Sequence, residues 1–483
     1  MTGVTTPTPT PLSADDLLAE LRRRRAGDLP THGGRTLAYV FDSGLDGVDA
    51  LAAQAHALAS STNGLDPTAF PSLLACENEL VGTAAALLGG GDRTVGTVTS
   101  GGTESCLLAV LAARDARPDV TAPRMVLPAT AHPAFDKAGH YFGVRVVRVP
   151  VDPVTLAADP AATAAALDDD TVLVVVSAPS YAHGVLDPVA PVAAAAAERG
   201  IRCHVDACIG GWVLPHLDAA PFDLSVPGVT SIAVDLHKYA YCPKGTSVLL
   251  HADAALRRPQ YFASADWPGY TMVNATMQST RSGGPVAAAW AVVSLIGPAG
   301  YAELARAARA ATLALSAGVD ATDGLRVLVA PDSTLLALAA ESDDLDVFTL
   351  ADEMTARGWY LQPQFASGPS PATLHLTVTA ALSGKEDALL DDLRAATAAA
   401  RAAGPARVDD AVAAAIAALD PDALTDEQFG GLLAAAGLGG GTGLPERMAP
   451  VNALLAAAPP RLRERLTAEF FSRLQRPAPP LGG

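Results

Sequence analysis

Three short segments hold residue types whose spacing suits chemistry. The first, Val98-Thr-Ser-Gly-Gly-Thr-Glu-Ser105, closes a β-like run and opens a helix. Its two glycines permit a tight turn, and the free N–H groups of a helix start attract an anion. The plain alternative is a capped helix, with Ser100 or Thr103 as cap and Glu104 in the first turn. The second segment, His204-Val-Asp206-Ala-Cys208, ends an apolar strand with an acid. A carboxylate there either holds a protonated ring nitrogen or caps the next turn, Ile209-Gly-Gly-Trp212. The third, Ser231-Ile-Ala-Val-Asp-Leu-His237-Lys238-Tyr239, ends a strand with a lysine. Desolvation would lower that lysine's pKa and ready it for Schiff-base chemistry, whereas the plain alternative is a snorkelling surface lysine.

An anion cradle, a partner for a ring nitrogen and a Schiff-base lysine are together the parts that a pyridoxal phosphate enzyme needs. Other signatures are missing from the sequence: no H-E-x-x-H, P-loop or G-x-S-x-G occurs, and the Gly-rich stretches do not fit G-x-G-x-x-G. His132, Asp136 and His140 have the spacing of one helix face. Pro133 suits the first helical position, which makes His132 an N-cap rather than a metal ligand, so no metal is expected.

Elements that alternate between strand and helix must position these residues. Arg124–Ala129, Arg145–Val149, Thr171–Ser177, Arg202–Asp206, Ser231–Asp235 and Ser247–His251 read as buried strands. Glu104–Asp115, Pro133–Phe142 and Pro188–Arg199 read as helices between them. This order implies an α/β fold with a mostly parallel sheet flanked by helices, whose chemistry sits at the carboxyl ends of strands. After Gly297-Pro-Ala-Gly300 comes an Ala-rich helix over roughly 301–318. Strand-like runs Leu325–Ala330, Leu335–Ala340 and Thr373–Val378 then suggest a smaller α+β C-terminal domain. The expected organisation is an N-terminal extension and helical segment (1–60), a large cofactor-binding domain (61–300), the small domain (301–403) and a helical tail (404–483). A flexible linker is expected at Gly437–Gly443.

Composition narrows the function. Half of the 483 residues are hydrophobic and 17% charged, which excludes a wholly disordered chain. Lys and Arg number 33 against 51 Asp and Glu, and a net charge of −18 disfavours nucleic acid and anionic lipid as partners. Five cysteines without a CxxC pair argue against a disulfide framework or structural zinc. The opening MTGVTTPTPTPLSADD has no secretion signal and reads as a disordered lead-in. The longest apolar stretch, Pro285–Gly297, is too short for a membrane span. A cytoplasmic location is expected.

The run from about Gly33 to Val378 resembles the fold type I pyridoxal phosphate-dependent decarboxylase superfamily, and within it the sphingosine-1-phosphate lyase-like branch. The residues that carry the resemblance are Thr99-Ser-Gly-Gly-Thr-Glu-Ser105, His132-Pro-Ala-Phe-Asp-Lys-Ala138, Ser180-Tyr-Ala-His-Gly184, His204-Val-Asp206-Ala207, Asp235-Leu-His-Lys-Tyr239 with Pro243-Lys-Gly245, and Thr280-Arg-Ser-Gly-Gly284. Asn63-Gly-Leu-Asp-Pro-Thr-Ala-Phe-Pro71 matches in part. The resemblance implies pyridoxal 5′-phosphate as cofactor, with Lys238 as the Schiff-base lysine, Asp206 on the pyridine nitrogen and His132 stacked on the ring. It places Gly102, Thr103 and His237 on the cofactor phosphate, with Thr280 reaching it from the neighbouring subunit of a homodimer with shared active sites. Tyr181 and Lys244 fall where the branch keeps groups acting on substrate.

Two departures stand out. The branch keeps an N-terminal Tyr where this chain reads Phe41, and a His where it reads Asp66. Both family residues help bind the substrate phosphate, and a carboxylate would repel it, so smaller unphosphorylated substrates are expected. This register is ungapped, and a one-residue gap near Tyr39 would move Phe41 out of it. The expected reaction breaks a carbon–carbon bond at Cα of a small amino substrate: aldehyde release if Cα–Cβ breaks, decarboxylation if Cα–COO⁻ breaks. Aminotransfer and a catalytically dead scaffold rank behind both.

Overall fold

The computed structural model describes residues 13–435, 445–475 and 477. Most of the Thr/Pro lead-in and the Gly437–Gly443 stretch lie outside the described residues. Residues 13–16, read as part of the lead-in, instead begin a helix, Ala14–Arg24. Ser13 accepts from the Asp16 N–H while Asp16 accepts from the Ser13 N–H, a reciprocal capping box. The chain forms two compact units, one of Thr31–Ala402 and one joining the residues before 31 to those after 402.

The centre of the larger unit is a seven-stranded sheet: β1 (Val95–Thr99), β2 (Arg124–Pro128), β3 (Arg145–Val149), β4 (Thr171–Ser177), β5 (Arg202–Asp206), β6 (Val229–Val234) and β7 (Ser247–His251). Its order is β1-β7-β6-β5-β4-β2-β3, and only β7 runs against the others. The edge strand β3 exposes Arg145 and Arg148, whereas the inner strands β4, β6 and β7 read as short, mostly apolar runs because both faces are covered. Alternation along β4 shows this directly: Val174 and Val176 face one core while Leu173 and Val175 face the other. The helices Gly102–Asp115 and Ala134–Phe142 pack into the second core, and Pro71–Leu87 and Val189–Glu198 into the first.

Helix Val48–Ala59 packs on the stretch Gly284–Asp320 within this unit, so the N-terminal segment does not separate from the large domain at residue 60. Gly284–Asp320 is apolar and long enough by length and composition to span a membrane. It is two helices, however, broken at Gly297 (φ 64°), and Ala288, Val292, Ala308 and Leu315 are core residues. The expected break is therefore present, but the helix resumes at Pro298 rather than at Tyr301.

A hairpin, β8 (Phe262–Ser264) and β9 (Met272–Asn274), precedes an antiparallel sheet of β10 (Leu325–Val327), β11 (Leu335–Ala340), β12 (Gln362–Gln364) and β13 (Thr373–Thr377). Its order is β10-β11-β13-β12. The hairpin and β12 are not legible in the sequence. In Gln-Pro-Gln the only apolar residue is Pro363, which argues against a strand and is tolerated because β12 is an edge.

The described residues after 409 form four helices, Asp410–Ala417, Asp426–Ala435, Ala449–Ala457 and Pro460–Leu474. Ile416, Phe429, Val451, Leu454, Leu462 and Leu466 give them an apolar core of their own.

Candidate active site

The carboxyl ends of β1, β4, β5 and β6 meet at a cavity of about 540 Å³, a volume typical of small-molecule sites. Gly102, Thr103, His132, Tyr181, Asp206, His237, Lys238 and Lys244 all line it. The sheet brings these residues together because parallel strands deliver their ends to one edge.

Neither Ser100 nor Thr103 caps the helix Gly102–Asp115, and no side chain caps its N-terminus. Glu104 turns back instead. Its Oε2 accepts from Ser100 N at 2.6 Å and Ser100 Oγ at 2.7 Å, and its Oε1 accepts from Met277 N at 2.6 Å. The first-turn N–H groups are left to a ligand. A Cβ on Gly102 would lie 2.7 Å from both Asp235 Oδ1 and Cys208 Sγ, so only glycine lets the helix begin this close to β6.

Lys238 Nζ lies 2.9 Å from Asp235 Oδ2. Burial disfavours the ammonium, but Asp235, with Cys208 and Asp206 behind it, more than offsets burial and raises the Lys238 pKa. The lowering expected from desolvation is thus reversed by a carboxylate in contact. Asp235 is buried and also accepts from Ser247 Oγ. Burial alone would raise its pKa; Lys238 and His237 prevail and lower it. The depressed lysine is Lys244, pushed down to about 8 by burial and by repulsion from Lys238. The residue is exposed at the cavity, and its ammonium sits 4.9 Å from the Phe41 ring centroid and 3.3 Å from the His237 carbonyl.

Asp206 ends β5, where Oδ1 accepts from Cys208 N at 3.1 Å, so this acid both caps its turn and lines the cavity. His132 Nδ1 accepts from Ala134 N at 3.1 Å, fixing the ring at the start of the helix Ala134–Phe142. By backbone geometry the cap is Pro133, one residue later than expected. Asp136 is ion-paired with Arg148. His237 Nδ1 is buried without a hydrogen-bond partner, and burial pushes the imidazole pKa down.

The opposite wall comes from Tyr39, Phe41, Tyr181, Gln362 and Thr377. Tyr181 stacks on His375 at 4.2 Å and donates to Gln362 Oε1 at 2.5 Å. Gln362 Nε2 donates to the Tyr39 hydroxyl at 2.8 Å. Tyr39 therefore supplies a hydroxyl in the N-terminal segment, beside the Phe41 that the ungapped register put there. Asp66 does not face this cavity. It lines a second one with Asn63, Ser279 and Arg281, where its Oδ1 accepts from Thr68 N and Oγ1. Thr280 is exposed between Ser279 and Arg281 and lines neither cavity of its own chain.

Sequence reasoning missed Glu104, Asp235, Gln362 and Tyr39 as cavity residues. Asp235 had a signal, an acid at a strand end, and Tyr39 lay close to the register gap; Gln362 had none. Also missed was that Cys106, Asp206 and Cys208 offer ligand atoms within 4.8 Å of one another.

The donor set fits pyridoxal 5′-phosphate. An open helix N-terminus and the unpartnered His237 nitrogen suit its phosphate, Asp206 suits its ring nitrogen, and Lys238 its aldehyde. Comparisons agree. Residues 10–336 match the pyridoxal-dependent decarboxylase conserved domain, and 410–473 match a C-terminal putative HTH domain of pyridoxal-dependent enzymes. The chain belongs to the pyridoxal-dependent decarboxylase family.

Within the family it falls in the sphingosine-1-phosphate lyase-like branch, and its cofactor is pyridoxal 5′-phosphate. It is 38% identical over 347 residues to a sphingosine-1-phosphate lyase of Dictyostelium discoideum, covering 71% of this chain and 64% of that one. With a rice sphingosine-1-phosphate lyase it is 36% identical over 400 residues, covering 80% and 73%. A solved sphingosine-1-phosphate lyase structure from Burkholderia pseudomallei superimposes with a TM-score of 0.77 at 36% identity, covering 83% of this chain and 94% of that one. A glutamate decarboxylase of Lactobacillus brevis, at 19% identity and a TM-score of 0.73 over 83% and 96%, shares the fold.

Proposed function

We propose that this enzyme cleaves the Cα–Cβ bond of a 2-amino-3-hydroxyalkyl phosphate, releasing an aldehyde and a 2-aminoalkyl phosphate. The observation that carries this reading is the wall facing Lys238, where Tyr39, Tyr181 and Lys244 converge. Decarboxylation needs no such set of groups for a hydroxyl and a phosphate. The hydroxyl of Tyr39 removes one of the two grounds for expecting an unphosphorylated substrate; Asp66 lines the cavity beside Thr280 rather than the site of its own chain.

When bound, pyridoxal phosphate supplies the electron sink for the pair left on Cα. Asp206 holds the proton on the ring nitrogen, and His132, fixed by its hydrogen bond to Ala134 N, covers the ring. Lys244, pushed down to about 8 by burial and by repulsion from Lys238, can exchange a proton near neutrality. It takes the 3-hydroxyl proton as Cα–Cβ breaks, so the hydroxyl oxygen becomes the aldehyde oxygen. Tyr181, pushed up to about 12 by burial first and by Tyr39 next, stays neutral and orients the hydroxyl.

The enzyme works as a cytoplasmic homodimer in this reading. Five unpaired cysteines support the location. An exposed Thr280, which lines neither cavity of its own chain, and the exposed Trp267, Tyr270, Val273 and Met277 close to it in sequence support a shared interface.

The test is product analysis of holoenzyme with sphingosine 1-phosphate, its dephosphorylated form and a panel of amino acids. Aldehyde from the phosphorylated compound is expected. Carbon dioxide from an amino acid, without aldehyde, would instead establish the decarboxylase alternative. Light scattering at the mass of one chain would remove the dimer.

A further inference from the structure

We infer that Gln362 imposes opposite hydrogen-bonding roles on two tyrosines, making Tyr39 a donor and Tyr181 an acceptor toward the oxygens of the substrate. The inference rests on the lyase reading only for the identity of those oxygens. A primary amide has one accepting and one donating end and cannot serve two hydroxyls alike. Tyr181 gives its proton to Gln362 Oε1 at 2.5 Å, which leaves lone pairs for the cavity. Gln362 Nε2 donates to the Tyr39 oxygen at 2.8 Å, which leaves the Tyr39 proton for the cavity.

Neighbouring groups pack around this arrangement. Burial first, then a hydrogen bond to Tyr39, raise the Tyr360 pKa. Tyr360 packs on the same tyrosine, with 5.8 Å between the ring centroids. Tyr181 is pinned by stacking on His375, the register partner of Gln362 on β13. Burial holds His375 neutral, with a pKa of about 3. The titratable groups next to Gln362 are Tyr39, Tyr181 and its register partner His375, and Glu104, His132, Asp206, Asp235, His237, Lys238 and Lys244 line the rest of the cavity. In a substrate with a hydroxyl and a phosphate, the acceptor tyrosine orients the hydroxyl by accepting its hydrogen bond before that proton passes to Lys244, and the donor tyrosine meets an anionic oxygen.

Two variants on this half-buried edge strand test the assignment in the holoenzyme. Gln362→Met removes both ends of the amide and is expected to lower kcat/KM for sphingosine 1-phosphate by about 10- to 100-fold. In Gln362→Glu an ionised carboxylate accepts at both ends and takes the Tyr39 proton, whereas the protonated carboxyl reproduces the amide. The ratio of variant to wild-type kcat/KM should thus rise as pH falls, an added ionisation that a merely structural role would not create. Binding of the 3-deoxy analogue, which has no hydroxyl proton to lose, gives a readout independent of turnover. Its affinity ratio should follow the same pH course. If wild-type enzyme releases no aldehyde, the lyase reading falls while the analogue still decides the role of Gln362. A Gln362→Glu ratio that is flat with pH for the analogue, or wild-type affinity for it in Gln362→Met, would overturn the inference.

Discussion

At the residue scale, two lysines six positions apart divide the work because their surroundings differ. Lys238 is paired with buried Asp235 and stays charged, whereas Lys244 faces Lys238 and is pushed down to about 8. Lys238→Ala should leave a folded protein that no longer binds the cofactor covalently; a borohydride-stable adduct mapped by peptide mass to Lys244 or Lys137 would refute this. Asp206→Ala should cost about 100-fold or more in turnover while retaining some cofactor, since the ring nitrogen loses its charged partner. For Lys244 the sign follows from its role: a base must be unprotonated, so kcat/KM rises with pH through about 8. Lys244→Arg should abolish that ascending limb, and a variant that keeps it would move the proton transfer elsewhere.

At the element scale, the helix Gly102–Asp115 shows what a sequence discloses and what it hides. Two glycines before a helix announced a cradle, and the run of apolar strands announced which edge would hold it. That Glu104 rather than Ser100 organises the turn was hidden, because its partner Met277 lies far along the chain. Strand β12 was hidden for another reason: two glutamines around a proline carry no strand preference, and pairing with β13 makes it a strand. The Lys238 pKa was misjudged because burial is legible in an apolar strand, whereas a carboxylate at 2.9 Å requires the turn that joins Asp235 to Lys238. Gly102→Ala tests the close approach of helix and strand. Its Cβ would meet Asp235 and Cys208 at 2.7 Å. The helix start must then retreat, and cofactor affinity, read by equilibrium dialysis, should weaken at least about tenfold. Unchanged affinity would mean that the cradle tolerates displacement.

At the scale of the whole Thr31–Ala402 unit, buried histidines set the response to acid. His183, His204, His251 and His375 are buried, and burial pushes their pKa values down to about 4, 4, 3 and 3. Unfolded, each titrates near 6.5. Below that value the unfolded chain takes up protons that the folded chain does not, so stability present at pH 7 is lost as pH falls. Asp187 acts in the opposite sense. Burial raises it to about 6, so its contribution is complete below its unfolded value near 3.8 and is lost as pH rises through 6. Four imidazoles outweigh one carboxyl. Each unfolded imidazole is half protonated at pH 6.5 and nearly fully at 5.5, so each histidine removes about 1 kcal/mol over that interval and the four together about 4 kcal/mol. Asp187 returns about 1 kcal/mol at most over that interval. A loss of that size is a large part of the whole stability of an ordinary domain. Calorimetry of the holoenzyme should therefore show Tm falling steeply from pH 6.5 toward 5. His204→Phe, which keeps an aromatic ring and has nothing to protonate, should flatten the slope by about a quarter. A Tm that stays level across this range would mean that these imidazoles reach water, or a partner, when they become charged.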